Sequence, residues 1–137
     1  MAGKFVIRET NAGVHFDLKA GNGEVILNSK VYKTLAACKE GIESVKKNAS
    51  DAPIEDQTIE GFASEKNPKF EIYLDKTGEY RFRLKAEDGQ VIGNSERYKS
   101  KAGGQNGIES IKKNSVEATV AEEKDYVNIE TVLIEWQ

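Results

Sequence analysis

The sequence is poor in the residues that carry most enzyme chemistry. Its 137 residues include one Cys, one His, one Met, one Trp and two Pro. A lone Cys38 forms no internal disulfide, and neither Cys38 nor His15 has the second Cys or His at short spacing that a zinc site requires. The sequence has no P-loop and no glycine-rich dinucleotide motif. We therefore expect no catalytic residue, no metal, no cofactor and no enzyme activity.

Charge and hydropathy argue against a membrane partner and make nucleic acid a less favoured one. Twenty Lys and Arg against 23 Asp and Glu give a net charge of -3, which provides no overall attraction to nucleic-acid phosphates or anionic lipid. The apolar runs are too short for a membrane helix, and the first residues lack an apolar signal segment. An unpaired Cys is typical of a reducing compartment. We expect a cytoplasmic protein without membrane partners.

The chain contains an internal duplication. Residues 18–49 match residues 84–115 at an offset of 66, with 18 identities in 32 positions and no gap. Upstream of residue 14 the offset is 65. The sequence therefore predicts a single pseudo-two-fold domain over residues 1–137, with repeat one at 3–66 and repeat two at 67–137.

Each repeat begins with a pattern typical of a three-stranded meander. In repeat two, apolar residues alternate with polar ones over 69–74 and 80–86, and glycine turns follow at 75–78 and 88–89. A third short strand is predicted at 90–93. Repeat one has the equivalent segments at 4–8, 14–20 and 24–28.

A helix follows the meander in both copies. Thr34 and Ser100 are the expected N-caps, and the apolar stripe of the first helix includes Cys38, which we therefore interpret as a buried residue. Gly41 and Gly107 occupy matched mid-helix positions, which indicates a close approach of helix and sheet. Asn48 and Asn114 predict left-handed C-caps.

Each copy ends in a tail. We predict loops after the helices and then strands over 56–62 and 125–136, rich in β-branched and aromatic residues. Each unit is thus β-β-β-α-β. The apolar segment 127–136 either completes the sheet within the chain or forms an adhesive edge for a second chain.

Three sequence stretches resemble the YegP-like family of small bacterial proteins. They are LKAGNGEVIL at 18–27, Asn-Ser at 94–95 with Tyr-Lys-Ser-Lys at 98–101, and NGIESIKKN at 106–114. The resemblance implies an α+β fold in which two β-β-β-α-β units build one antiparallel sheet, pack a helix each on it and exchange their last strands. It implies no activity, because the family is uncharacterised.

A ligand site is predicted where the third strand leads into the helix. Free amide groups in the first helical turn, together with lysines, favour a small anion, although N-capping and solvated lysines explain the same residues. These residues recur in both copies: Asn94, Ser95, Tyr98, Ser100 and Lys101 in repeat two, and Asn28, Ser29, Tyr32, Lys33 and Thr34 in repeat one. The leading interpretation is a non-enzymatic binding or protein-interaction module, whose partner is a protein or a small anion.

A basic row on the second strand of repeat two suggests an alternative. Arg81, Arg83 and Lys85 alternate with Tyr80 and Phe82, so the basic side chains and the aromatic rings lie on opposite faces. RNA or DNA binding on a sheet usually needs both on one face. In repeat one His15 occupies the position of Arg81, and we expect its side chain to face away from the core.

Overall fold

The structure is a computed structural model that describes residues 3–124. The predicted strand at 125–136 and the apolar segment 127–136 lie outside the described residues. Repeat one comprises β1 (Lys4–Thr10), β2 (Gly13–Lys19), β3 (Val25–Asn28), α1 (Leu35–Asn48) and β4 (Ile54–Asp56). Repeat two comprises β5 (Lys69–Leu74), β6 (Tyr80–Lys85), β7 (Val91–Asn94), α2 (Lys101–Ser115) and β8 (Thr119–Lys124). Neither helix is long and apolar enough to span a membrane.

The eight strands form one sheet in the order β4-β5-β6-β7-β3-β2-β1-β8. The order reads the same from both edges when each strand is replaced by its counterpart in the other repeat. β4 of repeat one pairs with β5, and β8 of repeat two pairs with β1. The predicted α+β class and the exchange of last strands are therefore confirmed.

The two edge pairings differ from the expected antiparallel arrangement. β4 runs parallel to β5 and β8 runs parallel to β1, so the sheet is mixed. The six strands between β4 and β8 pair with one another in antiparallel fashion. A tight hairpin forces an antiparallel pair, whereas parallel neighbours need a connection of about a dozen residues. Residues 57–68, which join β4 to β5, provide that length; we call them the crossover segment.

Both last strands begin earlier than the sequence predicts. β4 covers Ile54–Asp56 rather than 56–62, and β8 covers Thr119–Lys124, in a stretch expected to be a loop. Both strands are polar, so enrichment in β-branched and aromatic residues does not predict them. In β4 the polar Glu55 is 2% exposed because ion pairs satisfy it.

The helices pack on the sheet through an aromatic group that both repeats share. In repeat two the Phe70 and Phe82 rings meet edge to face at 6.0 Å, and Tyr98 stacks on Phe82 at 6.0 Å. A Cβ on Gly107 would lie 2.6 Å from the Tyr98 hydroxyl. Phe5, Phe16, Tyr32 and Gly41 repeat this arrangement in the first copy. The close approach predicted at the two glycines is confirmed.

The sequence predicts the N-terminal caps of both helices correctly, but not their C-terminal caps. Thr34 accepts the Ala37 amide proton at 3.1 Å, and Ser100 accepts that of Gly103 at 3.0 Å, as N-caps do. The expected left-handed C-caps are wrong, because Ala49 and Val116, at the C-caps, keep right-handed geometry. Ala49 is fully buried, so packing holds the end of α1 in helical form.

The repeats meet at β3 and β7, where their packing is unequal. Asn28 pairs with Asn94, the single register pair between these strands. Leu27 and Gly93 are matched positions in the two repeats, and a Cβ on Gly93 would lie 2.5–2.7 Å from three side-chain atoms of Leu27. A leucine on one side therefore fills the space that a glycine leaves on the other.

Candidate functional site

The predicted ligand residues of repeat two form the turn from β7 into α2. The Ser95 hydroxyl accepts the Phe82 amide proton at 2.8 Å and donates to the Glu96 carbonyl at 2.7 Å. The Tyr98 backbone exchanges two hydrogen bonds of 2.8 Å with Tyr80, and burial raises the pKa of its hydroxyl. Lys101 forms an ion pair with Asp56 of β4. Asn94 lies beside Asn28 at the centre of the sheet.

The matched residues of repeat one form the same turn. Ser29 accepts the Phe16 amide proton at 2.8 Å and donates to the Lys30 carbonyl at 2.7 Å. Asn28 donates to Glu96 at 3.0 Å, whereas Lys33 is exposed. Tyr32 and Thr34 have the packing and capping roles already described. The recurrence of these residues thus has a structural reason, and a binding role for them stays a prediction.

The basic row of β6 is largely neutralised by a buried carboxylate. Arg83 Nε lies 2.5 Å from Glu71 Oε1, and Lys85 Nζ lies 3.3 Å from Glu71 Oε2. Glu71 is 2% exposed and comes from the neighbouring strand β5. This pairing occupies Arg83 and Lys85, so Arg81 is the one member of the row without a carboxylate partner among the described residues. The relatives described below do not support nucleic-acid binding through Arg81, Arg83 and Lys85 either.

The rare reactive side chains have structural surroundings. Cys38 is fully buried, and desolvation raises the pKa of its thiol to about 11. His15 is on the face opposite Phe16, as expected from the alternation in β2. Within residues 3–124, no group of His, Cys, Asp and Glu is arranged to hold a metal ion.

Two surface clefts are related by the internal symmetry. Each lies between one helix and the second hairpin turn of the other repeat, with volumes of about 390 Å³ and about 610 Å³. We call them cleft one and cleft two. Cleft one is lined by Glu40, Glu43, Ser44, Lys47, Asn48, Ala86, Glu87 and Asp88. Cleft two is lined by the matched residues Asn106, Glu109, Ser110, Lys113, Asn114, Ala20, Gly21 and Asn22.

The helix side of both clefts has the same chemistry. Glu43 and Lys47 in cleft one, like Glu109 and Lys113 in cleft two, are exposed and separated by one helical turn. Asn48 donates to the Ser44 hydroxyl at 3.2 Å, and Asn114 donates to that of Ser110 at 3.1 Å.

Sequence reasoning identified these residues as part of the repeat but assigned them no site. The signal that could have found them is the identity of exposed charged residues in both copies, since exposed positions are under little packing constraint.

Comparison with known proteins places the chain in a family. The model of the domain of unknown function DUF1508 matches residues 10–56 and 75–122, one match in each repeat. This chain belongs to the DUF1508 family, whose members include YegP. A UPF0339 protein of Pseudomonas aeruginosa is 37% identical over 124 residues, covering 90% of this chain and 99% of the relative. The UPF0339 protein YegP of Yersinia pestis is 39% identical over 119 residues, covering 86% of this chain and 93% of the relative.

Solved structures of the family share the fold. The solution structure of YegP from E. coli, described as a protein of unknown function, has a TM-score of 0.76 at 31% identity and covers 93% of this chain and 97% of that chain. A UPF0339 protein from Shewanella oneidensis has a TM-score of 0.74 at 31% identity, covering 90% of this chain and 93% of that chain. The family therefore fixes the fold and leaves the function unknown.

Proposed function

We propose that this protein is a non-enzymatic binding module of the bacterial cytoplasm, and that it binds a protein partner through clefts one and two. The observation that carries the proposal is the repetition of exposed Glu and Lys side chains in both clefts, next to the same Ser and Asn. A partner that engages both clefts gains avidity, because the second contact forms at a high effective concentration.

The surroundings of the reactive residues support a binding role over catalysis. A thiol with a pKa of about 11 is protonated at neutral pH and is a poor nucleophile. Burial likewise raises the pKa of the Tyr32 and Tyr98 hydroxyls, which keeps them neutral. These three groups lie against the sheet, whereas the Glu and Lys side chains of the clefts face solvent.

The helix residues have no strong structural reason to be retained. An exposed Glu and Lys one turn apart stabilise a helix by about 0.2–0.5 kcal/mol. Lys47 approaches Glu87 at 3.9 Å, but both side chains are mostly exposed, and the matched position to Glu87 is Gly21. By contrast, Lys46 and Lys112 lie over the rings of Phe5 and Phe70 at 5.9 and 6.0 Å, which gives their recurrence a packing reason.

A charge-swap variant tests the proposal without changing composition. Glu43→Lys with Lys47→Glu, and Glu109→Lys with Lys113→Glu, keep the net charge and the helical pairing while reversing the pattern in each cleft. Immobilised wild-type protein and variants are exposed to extract of the native cell, and retained proteins are identified by mass spectrometry. We expect a partner that the wild type retains, that either single-cleft swap weakens and that the double swap loses.

The control uses two exposed lysines that line neither cleft. Lys76→Ala with Lys99→Ala removes their charges and leaves both clefts unchanged. This variant should retain the same partner as the wild type. Equal retention by the double-cleft swap would refute the clefts as the binding surface, and turnover of a substrate by the pure protein would refute the non-enzymatic role.

A further inference from the structure

A concave site opens where the chain leaves β7, on residues that line neither cleft. Ser95 donates its amide proton to the Phe82 carbonyl at 2.9 Å, and the chain pairs with β6 again at Tyr98 and Tyr80. Between these two contacts Glu96 and Arg97 lie outside the pairing. The resulting space of about 370 Å³ is lined by Arg81, Ser95, Glu96 and Arg97.

Arg81 contributes a positive charge that no carboxylate among residues 3–124 neutralises. Its Nη2 donates to the Ser95 carbonyl at 3.3 Å, whereas its Nε is buried and meets no acceptor among residues 3–124. None of the ion pairs found in this part of the chain includes Arg81. A guanidinium group that retains a buried N–H without an acceptor binds an oxyanion strongly.

Arg97 is the second positive group, and a carboxylate positions it. Its Nε lies 3.3 Å from Asp75 Oδ2, and its side chain is 56% exposed. The other carboxylate oxygen of Asp75 accepts the Thr77 hydroxyl and the Thr77 amide proton, at 2.5 and 2.8 Å. The Thr77 hydroxyl bond is the main reason that the pKa of Asp75 is lowered, so Asp75 is ionised and holds Arg97 in place.

The other carboxylate of the site is directed to repeat one. Glu96 Oε1 accepts the Asn28 side-chain amide at 3.0 Å. Of the two acidic groups near the arginines, Asp75 therefore pairs with Arg97 and Glu96 with Asn28, and neither pairs with Arg81.

Repeat one has the same backbone but lacks the arginines. Ser29 donates its amide proton to the Phe16 carbonyl at 2.9 Å, and Tyr32 pairs with Val14. His15 and Val31 occupy the positions of Arg81 and Arg97, and Thr10 occupies that of Asp75. The arginine pair with its positioning carboxylate is present in repeat two alone.

We propose that Arg81 and Arg97 bind an oxyanion group, phosphate or carboxylate, of a small molecule. The planar guanidinium fork matches the oxygen spacing of both groups. The site adds a ligand to the binding module proposed above, and its residues are separate from the clefts.

Nuclear magnetic resonance titration tests this site with defined probes. Isotope-labelled protein is titrated with potassium phosphate and, separately, with potassium acetate, at an ionic strength held constant with KCl. We expect saturable shifts of the Arg81 side-chain Nε–H resonance and of the amides of residues 95–97, with none at His15 and Val31. Saturation by phosphate alone, by acetate alone or by both identifies the oxyanion and supports the site.

Two variants and a control decide the role of the arginines. Arg97→Gln and Arg81→Gln should each weaken the affinity at least about tenfold, as expected for loss of a charged hydrogen bond. Arg97 is mostly exposed, so its variant remains a valid test if Arg81→Gln does not fold. Lys66→Gln, which removes an exposed lysine of the crossover segment, should bind as the wild type does. Shifts that stay linear in probe concentration, or an unchanged affinity in Arg97→Gln, would overturn the proposal.

Discussion

The outer faces of the two repeats, opposite the helices, are held together by different forces. In repeat two, Lys69 lies 2.7 Å from Glu55 and 3.2 Å from Glu71, both carboxylates being 2% exposed. In the half of the sheet that repeat one forms, Val6 of β1 and Ala121 of β8 occupy the positions of Glu71 and Glu55, and Val6 is 1% exposed.

The ionic packing is linked to the connection that follows β4. Glu55 accepts the Glu65 amide proton at 2.8 Å and the Gln57 side-chain amide at 2.6 Å, so the charged group fixes the crossover segment to the sheet. This segment joins repeat one to repeat two. The comparison shows that the same strand pairing can be packed with charged or with apolar side chains. The charged packing occurs where the crossover segment is fixed to the sheet.

The largest expected effect concerns the unequal contact between the repeats. Leu27→Gly leaves a cavity and should lower the free energy of unfolding by about 3–5 kcal/mol. Gly93→Leu overfills the same space and should lower it by about 1–3 kcal/mol. The double variant exchanges the two residues and should recover at least about half of the summed loss. Urea denaturation of all four proteins measures this coupling. Strictly additive losses would show that the two positions do not share one space.

The ionic group should give the next largest effect. Glu71→Val places the repeat-one residue in repeat two and leaves Lys69, Arg83 and Lys85 without their shared carboxylate. Loss of one partner of a buried ion pair costs about 3–5 kcal/mol, and we expect about 3 because Arg83 and Lys85 can reach water. The exposed control Glu109→Val should change stability by less than about 0.5 kcal/mol. Urea denaturation giving equal values for the two variants would contradict the importance of the ionic group.

The two halves of the sheet should also respond to acid with opposite sign, because Glu55 of β4 lies in the half that repeat two forms and Asp17 of β2 lies in the other. Burial opposes ionisation of Glu55, but hydrogen bonds from Lys69, Gln57 and the Glu65 amide outweigh it and lower its pKa to about 2. Its contribution to stability is therefore complete above the unfolded pKa of about 4.5 and is lost as the pH falls towards 2. In Asp17 of repeat one, burial raises the pKa despite the opposing charges of His15 and Arg8, so protonation favours the folded state.

Denaturation between pH 6 and 2 checks these signs. The stability difference between wild type and Glu55→Gln should shrink by about 2 kcal/mol as the pH falls. The difference between wild type and Asp17→Asn should change in the other direction. Parallel pH profiles of the two variants would contradict the assignment.

The smallest expected effect concerns a feature that the repeats share. Thr34→Ala and Ser100→Ala each remove an N-cap acceptor and should each cost about 1 kcal/mol. Because both hydroxyls bond the amide three residues ahead at nearly equal distance, thermal denaturation should give similar losses. A loss confined to one helix would show that the helices contribute unequally to the transition.

The parts of the fold that the sequence predicts are those determined by local pattern. Alternation gives the meanders, Thr34 and Ser100 mark the helix starts, and Gly41 and Gly107 mark the contact with the aromatic rings. β4 and β8 could not be placed because their burial depends on long-range partners. Glu55 resembles a loop residue until Lys69 is brought next to it.

The candidate sites were predictable to different degrees. Glu43, Lys47 and their matches were visible as repeated residues, but the turns opposite them come from the other repeat and are distant in sequence. Arg97 does not recur, since Val31 occupies its matched position in repeat one. The pattern of repeated residues therefore does not single it out. Arg81 was found for a different reason, as one of a basic row, and only the fold brings it next to Arg97.

The exchanged edge strands also determine how the molecule comes apart. β4 is held by the half of the sheet that repeat two forms, and β8 by the half that repeat one forms, while β3 and β7 share one register pair. Separating the halves therefore requires breaking two parallel edge pairings at opposite sides of the sheet in addition to the centre. Native-state hydrogen exchange should accordingly report a single opening event for the amides of both meanders, because both edge pairings must break before either half separates.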